Sequence, residues 1–463
     1  MIKQSQIHHI SVNHTKAALL AAGLIFSTPL LAVDMTTEIL AQKGLITLEE
    51  YEKIRKAQST QATVDTTDGL KFITADKNFS AQVGTLLQMD AASYDSNIKD
   101  SAGRDITNSG SEFRRIRLYM SGTFLTDWDY KTELEFANST QLMDGYVAYR
   151  GFKTSVPMQL TLGHFKIPFS QESLSADKGL TFMERSLPNA FLVARAPGAM
   201  ISAGRDNWSS ALMVFGEQLS STATAVSDEG GGASMRVTWA PLIAPGANLH
   251  FGAAASLRVP SQNNTSLNTT PVTYTESIRL RSKPESNIIE TRLVDTGNIL
   301  DADQTQLWGL ELAGSINAVG FNAEYINTTI TRDNDRSDLD FSGWYAQTSW
   351  SITGEERTYK GDKGLYDGIK PAKPVGQGGA GAWEIALRIS DIDLSDGELQ
   401  PRNNMLAPEI NGGEERNAAF ALNWYLNNYL RTSLNYIHVL DLEGGAFSGK
   451  DLDAIQMRLQ LAF

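Results

Sequence analysis

The end of the chain alternates between apolar and polar side chains, and this pattern restricts the possible folds more than any other feature. Apolar residues occupy every odd position from Ile455 to Phe463, while Gln456, Arg458 and Gln460 occupy even positions. Successive side chains of a β-strand point to opposite faces, so these residues predict a strand with one continuous apolar face. A soluble edge strand would also alternate, but an apolar face of this size needs a cover, which lipid provides. We therefore expect a membrane-spanning strand that closes on Phe463.

The same period of two recurs from about Leu70 onward. Apolar or uncharged positions alternate with charged or polar ones in Arg115–Met120, Tyr130–Phe136, Trp383–Ser390, Phe420–Trp424 and Thr432–His438. One face of each predicted strand would contact lipid and the other would contact water. The sequence Leu426-Asn427-Asn428-Tyr429 between the last two segments is typical of a hairpin turn. No long helical pattern interrupts the strands, which favours an antiparallel meander.

The number of strands follows from the length of this region. A membrane strand needs about 9 to 11 residues, and a hairpin with its loop takes roughly 45 to 50, so residues 70–463 would hold about 16 strands. Three insertions rich in Gly, Asn, Asp and Ser are predicted to be external or lumen-folding loops: Ser220–Gly232, Pro260–Asp303 and Glu355–Gly381. The predicted fold class is all-β, a transmembrane antiparallel β-barrel over residues 69–463. Tryptophans near strand ends and the absence of domain linkers disfavour the alternative, an array of soluble sandwiches.

The N-terminus carries an export signal. Lys3 and Lys16 precede the apolar run Ala17–Phe26, which is too short to span a bilayer as a helix and fits a secretory signal peptide over residues 1–32, with cleavage near Ala32. Loss of its two lysines changes the net charge from -13 to -15. We therefore expect export to the outer membrane of a Gram-negative bacterium. The chain has no cysteine, which excludes disulfides and thiol nucleophiles.

Residues 33–68 differ from the remainder. Thr47 and Glu50 form a capping-box pattern before Leu48, Tyr51 and Ile54 at helical spacing, which predicts a short amphipathic periplasmic helix. The polar residues 59–68 have no apolar periodicity and indicate a linker. The helix could serve oligomerisation, or it could be a solvated appendage; the sequence leaves both open.

An ordered set of motifs resembles the phosphate-selective porin O and P family. The motifs are Phe113–Leu118, Trp128–Lys131 with Glu133, Asp144–Tyr149, Leu162–Ser170, Phe182–Ser186, Gly343–Tyr345, Ser351–Glu355 and Arg458–Phe463. The resemblance covers nearly the whole chain after the leader. It implies a 16-stranded homotrimeric porin in a lipid bilayer, which passes small inorganic anions such as phosphate. The terminal Phe463 resembles the signal that barrel-assembly machinery recognises.

The candidate pore residues are mostly cationic. Arginine suits oxyanion passage because its planar guanidinium stays charged and binds phosphate with two donors. The candidates are Arg114, Arg115, Arg117, Lys131 and Lys166, with Arg185, Arg195 and Arg205 as weaker additions. The resemblance implies that Arg115 lies at the constriction and that Asp144 is its acidic neighbour. By alternation Arg114 would face away from Arg115 and Arg117, unless a bulge or loop intervenes. Mixed charge that merely solvates the pore wall is the competing interpretation.

The sequence favours a general porin over a phosphate-specific one for two reasons. The chain is acidic overall, and Glu133 and Glu135 share a face with Lys131, where they cancel part of the positive potential. An adhesive or structural barrel is one alternative, and a barrel lipase is a weaker one. Outside the leader, His164, His250 and His438 are far apart, and no nucleophile elbow, phosphate-binding glycine loop or zinc motif is present. We expect no enzymatic activity, no cofactor, no metal and no nucleic-acid partner.

Overall fold

The computed structural model describes residues 39–58, 62–66, 69–99, 103–219, 229–264, 274–402 and 405–463. The predicted signal peptide, residues 1–32, lies outside them, as does most of the predicted 220–232 loop. The chain divides into two compact units, Met1–Thr63 and Val64–Phe463.

The first unit contains the predicted helix, which spans Leu48–Gln58 after a helical stretch at 39–42. The capping box is formed: the Thr47 amide donates to Glu50 Oε2 at 2.8 Å, and the Glu50 amide donates to Thr47 Oγ1 at 3.1 Å. Each side chain thus satisfies an amide that has no partner within the helix. Within the predicted linker, Thr63–Asp65 is extended, as the β-favouring residues Thr63 and Val64 allow.

The second unit is built on sixteen long strands, which we number β1 to β16. They are β1 Phe79–Ser96, β2 Gly110–Phe124, β3 Trp128–Glu135, β4 Gln141–Tyr149, β5 Met158–Lys166, β6 Arg195–Arg205, β7 Trp208–Gly216, β8 Gly231–Ala244, β9 Ala247–Val259, β10 Ala302–Ile316, β11 Val319–Arg332, β12 Leu339–Ser351, β13 Ala382–Arg402, β14 Met405–Tyr425, β15 Leu430–Glu443 and β16 Leu452–Ala462. The strand Leu70–Ile73 pairs with the start of β1.

These strands form a closed antiparallel barrel. Each pairs with its neighbour in sequence, and β16 pairs with β1 from Leu452↔Ser96 to Ala462↔Leu86. Closure leaves no sheet edge with unpaired backbone groups, which is the condition for a sheet that crosses a bilayer. The predicted fold class and the count of about 16 strands are confirmed. The Leu426–Tyr429 turn is also confirmed, since Asn427 Oδ1 accepts the amides of Tyr429 and Leu430.

The alternation places apolar side chains outside and polar ones inside. In β16, Ile455, Met457 and Leu459 are exposed on the outer face. Gln456, Arg458 and Gln460 are buried towards the lumen, as are Glu384, Arg388 and Ser390 of β13. The lumen is therefore lined with polar and charged groups, as the two-residue period predicts.

The two ends of the barrel carry different connections. Most even-numbered strands are followed by short turns such as 206–207, 245–246 and 317–318, at the end that also holds Phe463. Longer loops join the strands at the opposite end, where β13 and β14 continue beyond their neighbours as a two-stranded hairpin. Among the described residues, no helix is long and apolar enough to cross a membrane.

In the part of the chain that the structure describes, three long connections turn into the lumen. We call residues 167–194, between β5 and β6, the inner loop; it contains the helix Gln171–Leu174 and the 3-10 turns Asp177–Gly179 and Leu187–Phe191. The lumen insertion, residues 352–381 between β12 and β13, contains the paired strands Tyr359–Lys360 and Leu365–Tyr366 and enters from the short-turn end. The third is the connection between β9 and β10, whose described residues, 260–264 and 274–301, include the short strands Gln262–Asn264, Tyr274–Ile278, Arg281–Ser282, Val294–Asp295 and Ile299–Leu300.

Candidate functional site

Two of the predicted arginines project from β2 into the lumen. Arg115 and Arg117 are buried, whereas Leu118 and Met120 on the same strand are exposed on the outer face. Across the sheet, Arg117 pairs in register with Glu135 of β3, and its Nε donates to Glu135 Oε2 at 2.7 Å. Strand alternation thus places this cation and its acidic partner on one inner face.

A β-bulge brings Arg114 to the same side. The β1–β2 register passes from Gln88↔Arg115 directly to Met89↔Phe113, so Arg114 and Arg115 together oppose one residue of β1. Such an extra residue bends the strand and redirects a side chain. Arg114 therefore donates two hydrogen bonds to Glu184 of the inner loop, from Nε at 2.8 Å and from Nη2 at 2.9 Å. Alternation alone would have placed Arg114 on the outer face.

Asp177 of the inner loop joins two of the wall arginines. Its Oδ2 lies 2.5 Å from Arg117 Nη1, and its Oδ1 lies 3.4 Å from Arg115 Nη2. Arg185, also on the inner loop, donates from Nη1 to Oδ1 at 2.8 Å. Burial alone would raise the pKa of Asp177, but these guanidinium groups hold that pKa well below its usual value. The carboxylate is therefore charged at neutral pH and binds the loop to the wall.

Glu184 is the second carboxylate that the inner loop brings to the wall. In addition to the two hydrogen bonds from Arg114, Glu184 Oε1 accepts a hydrogen bond from Arg458 Nη2 at 2.8 Å. The same oxygen lies 4.0 Å from Arg115 Nη1. Burial opposes ionisation, but Arg114, Arg115 and Arg458 lower the pKa of Glu184 strongly. Arg458 also binds Asp90 of β1 through two hydrogen bonds, at 2.7 and 2.6 Å.

Lys131 and Asp144 form an adjoining part of the same network. Lys131 Nζ lies 2.6 Å from Asp144 Oδ2 and 2.5 Å from Glu133 Oε2. Arg195 of β6 donates from Nε to Asp144 Oδ1 at 2.9 Å. Arg117 Nη1 also contacts Glu133, at 3.2 Å, which links this group to the arginines of β2.

Lys166 lies against the inner loop rather than against a carboxylate. Its ammonium donates to the carbonyl oxygens of Ser173, Leu174 and Ser175, at 2.7, 3.1 and 2.8 Å. These carbonyls lie at the end of the short helix, where acceptors lack helical partners and a cation is favourable. Arg205 is outside the cluster, since it is exposed and donates to the Ser155 carbonyl.

The cluster is nearly balanced in charge. Its cations are Arg114, Arg115, Arg117, Lys131, Arg185, Arg195 and Arg458, and its carboxylates are Asp90, Glu133, Glu135, Asp144, Asp177 and Glu184. All six predicted site residues lie in this cluster or beside it. Sequence reasoning placed Arg458 in the lumen without assigning it to the site. The sequence did not indicate Asp177 and Glu184, because the segment between β5 and β6 that carries them has no strand periodicity. The length of this segment between two strands is the feature that could have indicated a loop with a role in the lumen.

The lumen insertion contacts the inner loop from the other side. Arg357 donates to the Gly179 carbonyl at 3.1 Å and to Thr181 Oγ1 at 2.9 Å, while its Nη2 binds Glu384 of β13 at 2.7 Å. A Cβ added to Gly179 would lie 3.2 Å from the Gly368 nitrogen, so the two segments meet closely at these glycines. The two segments together narrow the lumen.

Open space remains at the short-turn end. A recess of about 1520 Å³, its open mouth included, lies between the inner loop, the lumen insertion and the 426–430 turn. Its basic lining residues are Lys178, Lys360, Lys363, Lys370 and Arg431. A smaller space of about 630 Å³ lies between the inner loop, Arg357 and the inner faces of β10 to β12.

The three histidines outside the leader lie in separate contacts. His164 Nδ1 is 2.9 Å from the Met143 carbonyl, His250 bonds to Glu311 and Tyr359, and His438 bonds to Asp453. In the described ranges, no group of three or more His, Asp or Glu side chains could hold a metal ion.

Comparison with known proteins identifies the family. A family model described as phosphate-selective porin O and P matches residues 82–463, which include the barrel wall except for the first three residues of β1. This chain belongs to the phosphate-selective porin O and P family. It is an outer-membrane porin, a water-filled β-barrel through which small solutes diffuse passively, and the predicted family, function and location are confirmed.

Individual proteins are also similar to this chain. Porin O of Pseudomonas aeruginosa is 25% identical over 421 residues, covering 86% of this chain and 92% of that protein. An uncharacterized protein of Caulobacter vibrioides is 28% identical over 390 residues, covering 81% and 71%. Among solved structures, an anion-selective porin from Comamonas acidovorans aligns with 14% identity and a TM-score of 0.46, covering 83% of this chain and all of that one.

Proposed function

We propose that this porin conducts small anions in preference to cations, and that inorganic phosphate is among its solutes. The supporting observation is that Arg114, Arg115 and Arg117 all reach the lumen from one strand and meet the inner loop there. Guanidinium groups bind oxyanions through paired donors, and closely spaced weak sites let an ion leave as well as enter. The description of the family as phosphate-selective is consistent with this proposal.

The predicted site residues take different roles in this proposal. Arg114, Arg115, Arg117 and Lys131 supply the positive potential along the wall. Asp144 is a positioning residue, because it holds Lys131 and Arg195 at 2.6 and 2.9 Å. Lys166 positions the inner loop through the 173–175 carbonyls.

The near balance of charge sets the expected strength of selectivity. Each wall arginine in the cluster has a carboxylate neighbour, so the local field is much smaller than the number of cations suggests. We therefore expect moderate anion preference rather than exclusion of cations.

The remaining properties are proposed with this function. The protein would be a passive channel with no catalytic activity, would form a homotrimer, and would be recognised by barrel-assembly machinery through Phe463. Residues 1–32 would be removed on export, leaving residues 33–68 as the segment before the 69–463 barrel. The mass of the purified protein, native and denatured, tests cleavage and trimerisation together, and the Phe463→Ala variant tests assembly.

Ion selectivity of single channels tests the central proposal. Purified protein in a planar bilayer should give open-channel steps, with a reversal potential in asymmetric KCl that favours chloride. Phosphate should reduce the chloride current, and Arg115→Ala should weaken both effects. A preference for potassium would refute the anion proposal, and an unchanged preference in Arg115→Ala would remove Arg115 from the site.

A further inference from the structure

Glu184 fills the position that an oxyanion would take among three arginines. Arg114 donates two hydrogen bonds to its carboxylate, and Arg458 Nη2 donates to Oε1 at 2.8 Å. Arg115 Nη1 lies 4.0 Å from the same oxygen. A guanidinium fork binds a phosphate and a carboxylate with the same planar, paired geometry. The three side chains, from β2 and β16, therefore form a cradle suited to a small oxyanion.

The inner loop does not depend on this carboxylate alone for its position. The main-chain carbonyl of Glu184 accepts two hydrogen bonds from Arg388, each 3.2 Å long, and the Met183 carbonyl accepts from Arg458 at 2.5 Å. Glu172 binds the Ser186 amide at 3.1 Å and its hydroxyl at 2.6 Å. The Glu184 side chain can therefore leave the cradle without releasing the loop.

Glu184 is better placed to yield to a solute than the other two carboxylates of the inner loop. The side chain of Glu184 is 13% exposed, whereas those of Asp177 and Glu172 are 5% and 6% exposed. Two of the three arginines would keep partners without Glu184, because Asp90 holds Arg458 through two hydrogen bonds and Gln88 accepts from Arg115 at 2.7 Å.

We propose that the Glu184 carboxylate is a tethered competitor, which occupies the cradle of Arg114, Arg115 and Arg458 and must be displaced by each passing oxyanion. This inference rests on the proposed anion function, and it names Glu184 as the residue that sets the affinity of the cradle for phosphate. Without Glu184, Arg114 would lose the carboxylate that it binds, and the cradle would hold phosphate too long for conduction. A carboxylate at the same place weakens binding and speeds release, as a channel requires.

Block of the chloride current by inorganic phosphate tests this proposal. Glu184→Gln should lower the phosphate concentration for half block by about tenfold, the order expected when one competing charge-assisted contact is lost. The reversal potential should also shift further towards chloride. Glu409→Gln is the matched control, because Glu409 likewise sits between two arginines, Arg332 and Arg336, but outside this cluster. Glu409→Gln should change neither the phosphate concentration for half block nor the reversal potential.

Every outcome is informative because only inserted channels contribute current. Glu184→Ala is the second variant, and it should act as Glu184→Gln does. If wild type prefers chloride and both variants match it in phosphate block, the tethered competitor is refuted while the anion function stands. If wild type prefers potassium, the anion function fails; tighter phosphate block in the variants would still show that Glu184 covers the cradle. No phosphate block in any of the three channels would refute the tethered competitor and the passage of phosphate, while a chloride preference would leave the anion preference standing.

Discussion

At the scale of single residues, Glu324 attaches the inner loop to the barrel wall. Its carboxylate accepts the amides of Gln171 and Glu172, at 3.0 and 2.8 Å, and the hydroxyl of Tyr345 at 2.6 Å. These amides begin the short helix and have no partner within it. A single wall side chain therefore satisfies two buried donors of the loop.

We predict that Glu324→Ala destabilises the folded barrel by about 1 to 3 kcal/mol, the cost of leaving buried donors unsatisfied. Urea titration of the protein folded in lipid vesicles measures this loss. Glu398→Ala, at an exposed position of the β13–β14 hairpin, is the control and should not change the midpoint. Equal midpoints for Glu324→Ala and wild type would show that the loop amides find other partners.

The ion pairs of Asp177 should make the stability of the folded protein depend on pH in the acidic range. Because Arg115, Arg185 and Arg117 overcome the effect of burial and lower its pKa, ionised Asp177 stabilises the folded state above the pKa of an unfolded aspartate, about 3.9. That contribution is lost as the pH falls through the lower pKa of the folded state. The stability difference between wild type and Asp177→Asn should therefore be constant near neutral pH and shrink below about pH 4. A difference that persists unchanged to pH 2 would contradict this assignment.

At the scale of elements, the lumen insertion narrows the channel from the short-turn end. Its attachment is polar: Arg236 of β8 donates to the carbonyls of Lys363 and Gly364, each at 3.0 Å, and Arg357 bonds to the inner loop. Gly364 has φ +59° and packs against Thr238, where a Cβ would lie 2.6 Å from the hydroxyl oxygen. The insertion is thus fitted closely to the wall.

Replacing residues 356–379 with a short turn should raise single-channel conductance roughly twofold or more, because the cross-section of the lumen grows. The strands on either side can be joined, since Ile352 donates to the Trp383 carbonyl at 2.8 Å. Shortening the β13–β14 hairpin between the exposed residues Leu399 and Leu406 is the control, and it should leave conductance unchanged. Equal conductance in all three proteins would place the narrowest point elsewhere.

At the scale of the whole molecule, lipid covers the outer face of the closing strand. Met457 is more than half exposed on this face, at the midpoint of β16. Met457→Arg should destabilise the barrel by about 2 to 4 kcal/mol, the cost of an arginine on the lipid face near the bilayer midplane. Leu406→Arg places the same side chain at an exposed apolar residue of the protruding hairpin, where water is available. Unfolding in lipid should show a loss for the first variant only; losses of similar size would show that exposure to lipid is not the cause.

The barrel could be predicted because the alternation of apolar and polar side chains that produces it is a periodic, local property of each strand. A strand between lipid and water must alternate, so the sequence alone indicated the faces of β2, β3, β13 and β16 and the approximate number of strands. The same reasoning failed at Arg114, because a bulge depends on the register of two strands and leaves no mark in the alternation. The sequence left open whether residues 355–381 are external or fold into the lumen, and it gave no sign of the inward path of the inner loop, since neither segment has a repeating pattern.

The sequence by itself determined an exported, outer-membrane porin barrel whose lumen carries Arg115, Arg117 and Lys131. Only the tertiary structure decided which carboxylates meet these cations. Glu184 is 70 residues from Arg114 and 274 from Arg458, and closure of the barrel brings all three together. Side-chain alternation is a property of each strand alone, whereas an ion pair across the lumen depends on strand register, on closure and on the path of a loop.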